Sequence, residues 1–316
     1  GYLLPSFNIK AELHDDLILR FAASKALAYP NTGDIKSFVS ISNQNAAVVR
    51  EGEGEDRDIV SADITAWTGN SANPNLQPMR STQFDLGLEW YFDEASSLTA
   101  TIFMKDLKDF WVTGGVDETY TNNGVTNTVT VQKPINTDEG EMQGFEIAYQ
   151  QFFNQLPEPF NHLGIQANYS NISASGVPNS NLFTTDPDGQ PKDGPTQLAF
   201  ESLPLAGQSK HTANFVVMYE DDTISTRLAY NWRSDYLITA RDVIAPHRPI
   251  YGEDAGYLDG SFYYTLNENL KVGIQGVNLL DTITKTSMQV DEDGTRFGRS
   301  WFKSDRRFSL VLQGSF

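Results

Sequence analysis

The sequence predicts an all-β chain that builds an antiparallel transmembrane β-barrel. Three observations carry that reading. Apolar and polar residues alternate with period two in one segment after another, and no segment holds a helical period. The connections between these segments alternate between short and long. Aromatic residues gather where the segments approach the short connections.

The first segment runs from Phe7 to Leu13, with Phe7, Ile9, Ala11 and Leu13 on one face. After His14-Asp15-Asp16, Leu17 to Ala23 keeps its odd positions apolar. Phe84, Leu86, Leu88, Trp90 and Phe92 share a face, and a turn at Asp93-Glu94-Ala95 leads to Leu98 through Met104. Phe145, Ile147, Tyr149 and Phe153 line the next segment, followed by Leu163, Ile165, Ala167 and Tyr169. Ala213 through Tyr219 is joined across Asp221-Asp222 to Ile224 through Trp232. Leu258 through Tyr264 is joined across Asn267-Glu268-Asn269 to Leu270 through Gly276. The final segment carries Phe308, Leu310, Leu312, Gly314 and Phe316 on one side and Ser309, Val311, Gln313 and Ser315 on the other. The total is about eleven strands, each half apolar as a lipid-facing barrel strand requires.

Short turns lie at 14–16, 93–96, 154–161, 221–222 and 265–269, and long polar segments at 26–80, 111–140, 173–209, 233–256 and 281–300. A β-sandwich has no reason to put every long connection at one end. An outer-membrane barrel does, with short periplasmic turns and long extracellular loops. Trp90/Phe92, Phe152/Phe153, Tyr219, Phe262/Tyr264 and Phe316 lie toward the short-turn end, as an interfacial aromatic girdle would.

Composition narrows the function. Against 23 Lys+Arg stand 41 Asp+Glu, a net charge of -18, so no basic surface for nucleic acid is expected. With no Cys and only four His, no thiolate site, disulfide, metal centre or catalytic cysteine is expected. No stretch approaches the roughly 18 apolar residues of a membrane helix. The mean hydropathy of -0.39 does not argue against a barrel, whose strands are only half apolar. The chain opens Gly1-Tyr-Leu-Leu-Pro-Ser-Phe7, with neither Met nor an apolar leader, as expected of a piece of a longer product.

Topology follows by parity. If the last strand ends in the periplasm, each short turn is periplasmic and the first strand also descends. The count is then odd, whereas bacterial single-chain barrels are even. Open sheet edges are not viable in lipid. The chain is therefore expected to be part of a larger barrel.

Several segments carry a resemblance. They are Asn73-Pro-Asn-Leu-Gln-Pro78 followed by Ser81 to Phe92, Lys108-Asp-Phe110, Gln143-Gly-Phe-Glu146 and Leu203 to His211. Tyr230-Asn-Trp-Arg-Ser234, Val277-Asn-Leu-Leu-Asp281 and terminal Phe316 complete the set. In this order and spacing the chain, from Leu4 to its end, resembles the C-terminal half of the barrel of TonB-dependent outer-membrane receptors. The flavour is nearest to those of Caulobacter- and Xanthomonas-like bacteria, many linked to carbohydrate uptake. The resemblance implies a 22-stranded barrel plugged by an N-terminal domain, with residues 1–316 as one barrel part that lacks the plug and TonB box. It implies TonB-ExbB-ExbD as the energy-coupling partner, reached through the N-terminal part. It also implies the outer membrane of a Gram-negative bacterium as location, with lipid and lipopolysaccharide around the barrel. The terminal strand, through Phe308, Leu310, Leu312 and Phe316, would be the signal for the barrel assembly machinery.

Substrate capture is expected in the long loops. A sugar needs flat apolar faces beside polar groups, which singles out Trp67, Trp111, Tyr120, Tyr236 and Trp301, with Arg241, Asp242, His247 and Arg248 as polar partners in one loop. If Trp301 keeps the parity of the terminal strand, it points to the lumen. The bland alternative is that these aromatics pack the loops together and the charges solvate them. Lys10, Glu12, Arg20, Asp85, Glu89, Gln166, Asn168, Arg227 and Asn231 fit a polar lumen wall. Asp186-Pro-Asp-Gly189 and Asp291-Glu-Asp-Gly294 resemble calcium-loop fragments but lack the closing Glu, so both read as Asp-Gly turns. The acidic run Glu51 to Asp58 reads as a solvated loop tip, with a divalent-cation site as the minority reading.

Active uptake of an oligosaccharide is the leading expectation, with a ferric siderophore or other metal chelate as the alternative substrate. A passive porin or structural barrel is the alternative of another class. No G-x-S-x-G or Ser/His/Asp spacing stands out, so no catalytic residue is assigned and an enzyme is not expected; nor is a cofactor.

Overall fold

A computed structural model gives the fold. It describes residues 1–51, 58–137, 139–176, 183–185, 191–196, 203–242, 244 and 248–314. Most of the run Glu51 to Asp58, the segment Asp186 to Gly189, His247 and Phe316 lie outside the described residues.

The chain alternates two kinds of hairpin. β1 (Ser6–His14) and β2 (Leu17–Ala28) join at a tight turn. An excursion follows as β3 (Val39–Glu51) and β4 (Asp58–Ser71). The chain returns as β5 (Met79–Asp93) and β6 (Ser96–Lys108), then leaves as β7 (Trp111–Asn122) and β8 (Val125–Asn136). β9 (Gly140–Phe152) and β10 (Leu163–Ser175) are followed by the short pair β11 (Phe183–Thr185) and β12 (Pro191–Thr196). β13 (His211–Glu220) and β14 (Ile224–Arg233) precede β15 (Tyr236–Thr239) and β16 (Ile250–Gly252). β17 (Ala255–Asn267) and β18 (Leu270–Val277) precede β19 (Ile283–Gln289) and β20 (Arg296–Lys303), and β21 (Arg307–Gly314) closes the series.

The returning hairpins and β21 form one antiparallel sheet of 11 strands in the order β1-β2-β5-β6-β9-β10-β13-β14-β17-β18-β21. These are the eleven segments that period-two alternation marks. Their register sorts side chains into rows. Leu17, Trp90, Leu98, Tyr149, Ala167, Phe215, Tyr230 and Leu258 are successive cross-strand partners. Three residues along each strand, on the opposite face, Lys10, Arg20, Gly87, Thr101, Glu146, Ser170, Thr212 and Arg233 form the matching polar row. Successive side chains point to opposite faces, so one face of the sheet is mainly apolar and the other mainly polar. On the polar face Arg20 Nε donates to Glu89 at 2.7 Å, Gln166 to Gln150 at 2.8 Å and Asn214 to Asn168 at 2.6 Å. Phe152 departs from the expected girdle. Opposite Gly164 and one residue past Gln151, it lies on the polar face, where its ring fills the space a Cβ on Gly164 would need.

β1 and β21 are the two edges of the sheet. Unpaired strand edges are not tolerated in hydrocarbon, so the sheet is an arc that needs further strands to close.

The long connections are not the structureless loops that their polarity suggested. They carry two sheets of four strands, β3-β4-β8-β7 and β15-β16-β19-β20, besides the pair β11-β12. Val125 to Val131 explains the difference. It reads as polar because of its Thr and Asn residues, yet Val and Thr are β-branched and favour a pleated strand. These outer sheets also hold most of the buried apolar residues among those described. Val112, Val129 and Val131 lie in the first, and Leu237, Ile250 and Tyr251 in the second, with Ala240 just past β15. The barrel strands contribute Val216. A sheet facing lipid needs no water-excluding core of its own, whereas loops in water do.

Candidate functional site: the outer sheets

Several of the segments that carry the family resemblance, Asn73 to Pro78, Lys108 to Phe110, Leu203 to His211 and Val277 to Asp281, lie at the junction between barrel strands and outer sheets, where they act as brackets. Asn73 folds an Asx turn, with its Oδ1 accepting from Asn75 N at 3.0 Å, and its Nδ2 donates to the Pro134 carbonyl at 3.0 Å. Gln77 and Asn136 exchange hydrogen bonds of 2.8 and 3.0 Å. The Trp111 indole donates to the Gln77 carbonyl at 2.8 Å. Asp109, in the left-handed region at φ 59°, accepts from Arg80 at 2.7 Å. Buried Ser209 donates to the Ser234 carbonyl at 2.9 Å and accepts from Arg233 Nε at 2.8 Å. Buried Asn278, at φ 56°, accepts from Thr282 N at 2.9 Å and donates to the Asp305 carbonyl at 3.2 Å. Lys303 bridges Asp281 at 3.0 Å and Asp305 at 3.3 Å, and these hydrogen bonds raise its pKa, Asp281 first.

The first outer sheet is tied by a parallel pairing of β4 with β8 at Thr68–Thr130, Gly69–Val131 and Asn70–Gln132. Trp67 stands on β4 opposite Asn43, and Tyr120 on β7. The Tyr120 hydroxyl and Lys133 Nζ both donate to the Glu118 carboxylate. Lys133 first and Tyr120 second hold the Glu118 carboxyl below the usual carboxylate range. The carboxylate in turn pushes the Tyr120 phenol up to about 12. Trp111 therefore spends its indole N–H on the barrel rim, and Tyr120 its hydroxyl within the hairpin.

The second outer sheet gathers Tyr236, Arg241, Asp242, Arg248 and Trp301. Tyr236 lies on β15, with the Arg233 guanidinium 3.7 Å from its ring centre. Arg241 is buried, and the backbone N–H of Asp242 donates to the Arg248 carbonyl at 3.0 Å. The Asp242 carboxylate accepts from Arg299 at 2.6 Å. Arg296 stacks on Tyr251 at 3.5 Å and pairs with Asp235 at 2.6 Å. Burial pushes the Tyr251 phenol up, and Arg296 works against that shift. Asp291 to Gly294 is the turn between β19 and β20. Gly294 takes φ 87°, and Asp291 Oδ1 accepts from Thr295 N at 2.9 Å. Hydrogen bonds from Thr295 hold that carboxyl below its ordinary range.

The shared-parity premise for Trp301 does not hold. β20 belongs to the outer sheet, and Ser304-Asp305-Arg306, with Asp305 at φ 54°, separates it from β21. β20 also carries a bulge, since Thr286 pairs with Ser300 but Ser287 with Gly298, which leaves Arg299 as the extra residue. Trp301 is 62% exposed and borders a recess of about 490 Å³ with Glu253, Ser287, Arg296 and Gly298. The sequence reading missed these four residues. They come from β19, β20 and the residue just past β16, segments whose adjacency no local pattern records.

An 11-stranded arc with period-two faces, short turns at one end and β-structured loops at the other matches a known barrel family. The model for the β-barrel of TonB dependent receptor-like proteins matches residues 1–279. The chain belongs to that family. No curated protein sequence matches it. Among solved structures, it is similar to the ferric enterobactin receptor PfeA of Pseudomonas aeruginosa. The TM-score is 0.65 at 15% identity, over 99% of this chain and 40% of that one. It is also similar to the siderophore receptor PirA of Acinetobacter baumannii, at TM-score 0.61 and 17% identity, over 99% and 41%. For the copper transporter OprC the values are 0.57 and 14%, over 98% and 39%. At these identities the likeness is one of fold. The receptor chain spans about 40% of the length of such solved relatives.

Proposed function

We propose that residues 1–316 form the C-terminal barrel part of a receptor in a Gram-negative outer membrane that imports an oligosaccharide with TonB-ExbB-ExbD as its energy source. The substrate enters through the outer sheets. The barrel assembly machinery inserts the protein, and lipopolysaccharide surrounds its outer rim. The family supports transport rather than catalysis.

The observation that carries the substrate class is the pairing of four loop cations with carboxylates. Lys133, Arg296, Arg299 and Lys303 each meet a carboxylate, in a chain of net charge -18. An anionic chelate would have to break those pairs and approach against the field of the whole chain. A neutral glycan needs only hydroxyl partners and aromatic faces. A ferric or other metal chelate is the second reading, favoured by the solved relatives, which are described as ferric enterobactin, siderophore and copper proteins.

The test is uptake by cells carrying the full-length receptor. Labelled neutral oligosaccharide should enter only with TonB and a proton gradient. Uptake that persists without either would point to a passive porin. Growth rescued by a ferric siderophore, with no glycan uptake, would move the substrate to the second reading.

A further inference from the structure

The recess beside Trp301 has the parts of a sugar subsite, and they come from β19, β20 and the residue just past β16. β20 supplies the indole. Trp301 folds back over Gly298, where a Cβ would stand 2.7 Å from its Cζ2. Only the absence of a side chain at 298 lets the ring lie there. The bulge at Arg299 sets this arrangement, because it shortens the register between Gly298 and Ser300. β19 supplies Ser287, 3% exposed, whose hydroxyl donates to the Glu253 carboxylate just beyond β16. Glu253 is fixed in turn by its backbone N–H, which donates to the Lys285 carbonyl at 3.0 Å. Beside them the Thr286 and Ser300 hydroxyls bond at 2.6 Å. Arg296 and Lys285 also line the recess, and the Arg296 guanidinium is engaged by the Tyr251 ring and the Asp235 carboxylate.

We infer that this recess binds one pyranose unit of a neutral oligosaccharide. The exposed indole face takes the apolar C–H face of the ring. The Glu253 carboxylate has acceptor capacity left after Ser287 and takes two ring hydroxyls as charge-assisted hydrogen bonds. The recess volume of about 490 Å³ accommodates a single sugar ring with its first-shell water. The inference rests on the oligosaccharide reading above and assigns it an address.

The test uses the purified full-length receptor and a panel of neutral gluco-, xylo- and galacto-oligosaccharides, read by calorimetry. Trp301→Ala should weaken binding at least tenfold, and Trp301→Phe, which keeps a flat face, less than threefold. Gly298→Val should act like Trp301→Ala, since it displaces the indole without removing it. Glu253→Gln should weaken binding several-fold. Heat-modifiable migration of each variant confirms that its barrel has folded. If the wild-type receptor binds a glycan and Trp301→Ala binds it equally well, the subsite is wrong while the oligosaccharide reading stands. If the wild-type receptor binds no member of the panel, both fall.

Discussion

Arg296 and Asp235 are sixty-one positions apart in sequence yet meet at 2.6 Å, with the Tyr251 ring 3.5 Å beneath the same guanidinium. One side chain thus ties β20 both to β16 and to the segment leading into β15. A stacked guanidinium contributes roughly 0.5–2 kcal/mol and a half-exposed ion pair at most about 1.

Arg296→Ala is therefore expected to loosen the outer sheet by about 1–2 kcal/mol. Amide exchange in β16, β19 and β20 should speed up, while β5, β6 and β9 remain unchanged. Equal exchange in the two sheets would contradict this division.

The Glu118, Tyr120 and Lys133 triad gives the first outer sheet a pH window. The Glu118 carboxyl lies below its ordinary range, so its stabilisation is present above that range and lost as pH falls through the depressed value. Tyr120 is raised to about 12, so its contribution is full below the ordinary tyrosine range and lost as pH rises toward 12. These 316 residues contain no Cys, so a single Cys introduced at Asn122 can carry a spin label. Its mobility should increase at both extremes, and Glu118→Gln should flatten both limbs. A flat wild-type profile would exclude the coupling.

The two faces of the barrel predict opposite tolerances. Leu86 pairs with Phe21 and Ile102 on the apolar face, and Thr101 lies between Gly87 and Glu146 on the polar face. Leu86→Arg should cost about 2–4 kcal/mol, the range for a cation on the lipid face near the midplane. Thr101→Arg should cost much less. Denaturant unfolding of the full-length receptor in vesicles measures both, and equal costs would refute the facing.

The terminal strand predicts an assembly defect. Phe308, Leu310 and Leu312 stand exposed on β21, in line with Gly276, Ile274 and Val272 of β18. Deleting Phe316 should lower the yield of inserted barrel more than it lowers substrate affinity. Normal yield in the outer membrane after that deletion would sink the proposal.

The barrel arc was legible from sequence because its rule is local. A strand with one face in lipid and one in a polar lumen must alternate residue by residue, so Leu86 and Trp90 announce their face without knowledge of their partners. The turns at 14–16 and 221–222 are short enough to fix register between neighbours. Loop aromatics were legible only as a list. Trp111 and Trp301 look alike in sequence, yet one donates to the Gln77 carbonyl at the rim and the other stands exposed over Gly298. Parity could not carry from β21 to Trp301, because the two strands belong to different sheets and the connection Ser304 to Arg306, with Asp305 in the left-handed region, intervenes.

By itself, then, the sequence determined the eleven strands, their two faces and the end at which the long connections lie. Each follows from side-chain period and turn length, which act over a few residues. Only the tertiary structure decided that these connections fold into sheets, that β4 runs parallel to β8, and that Glu253, Ser287 and Trp301 surround one recess. Those pairings join distant segments through backbone hydrogen bonds, and backbone groups are the same at every residue. No side-chain pattern names the partner strand in advance.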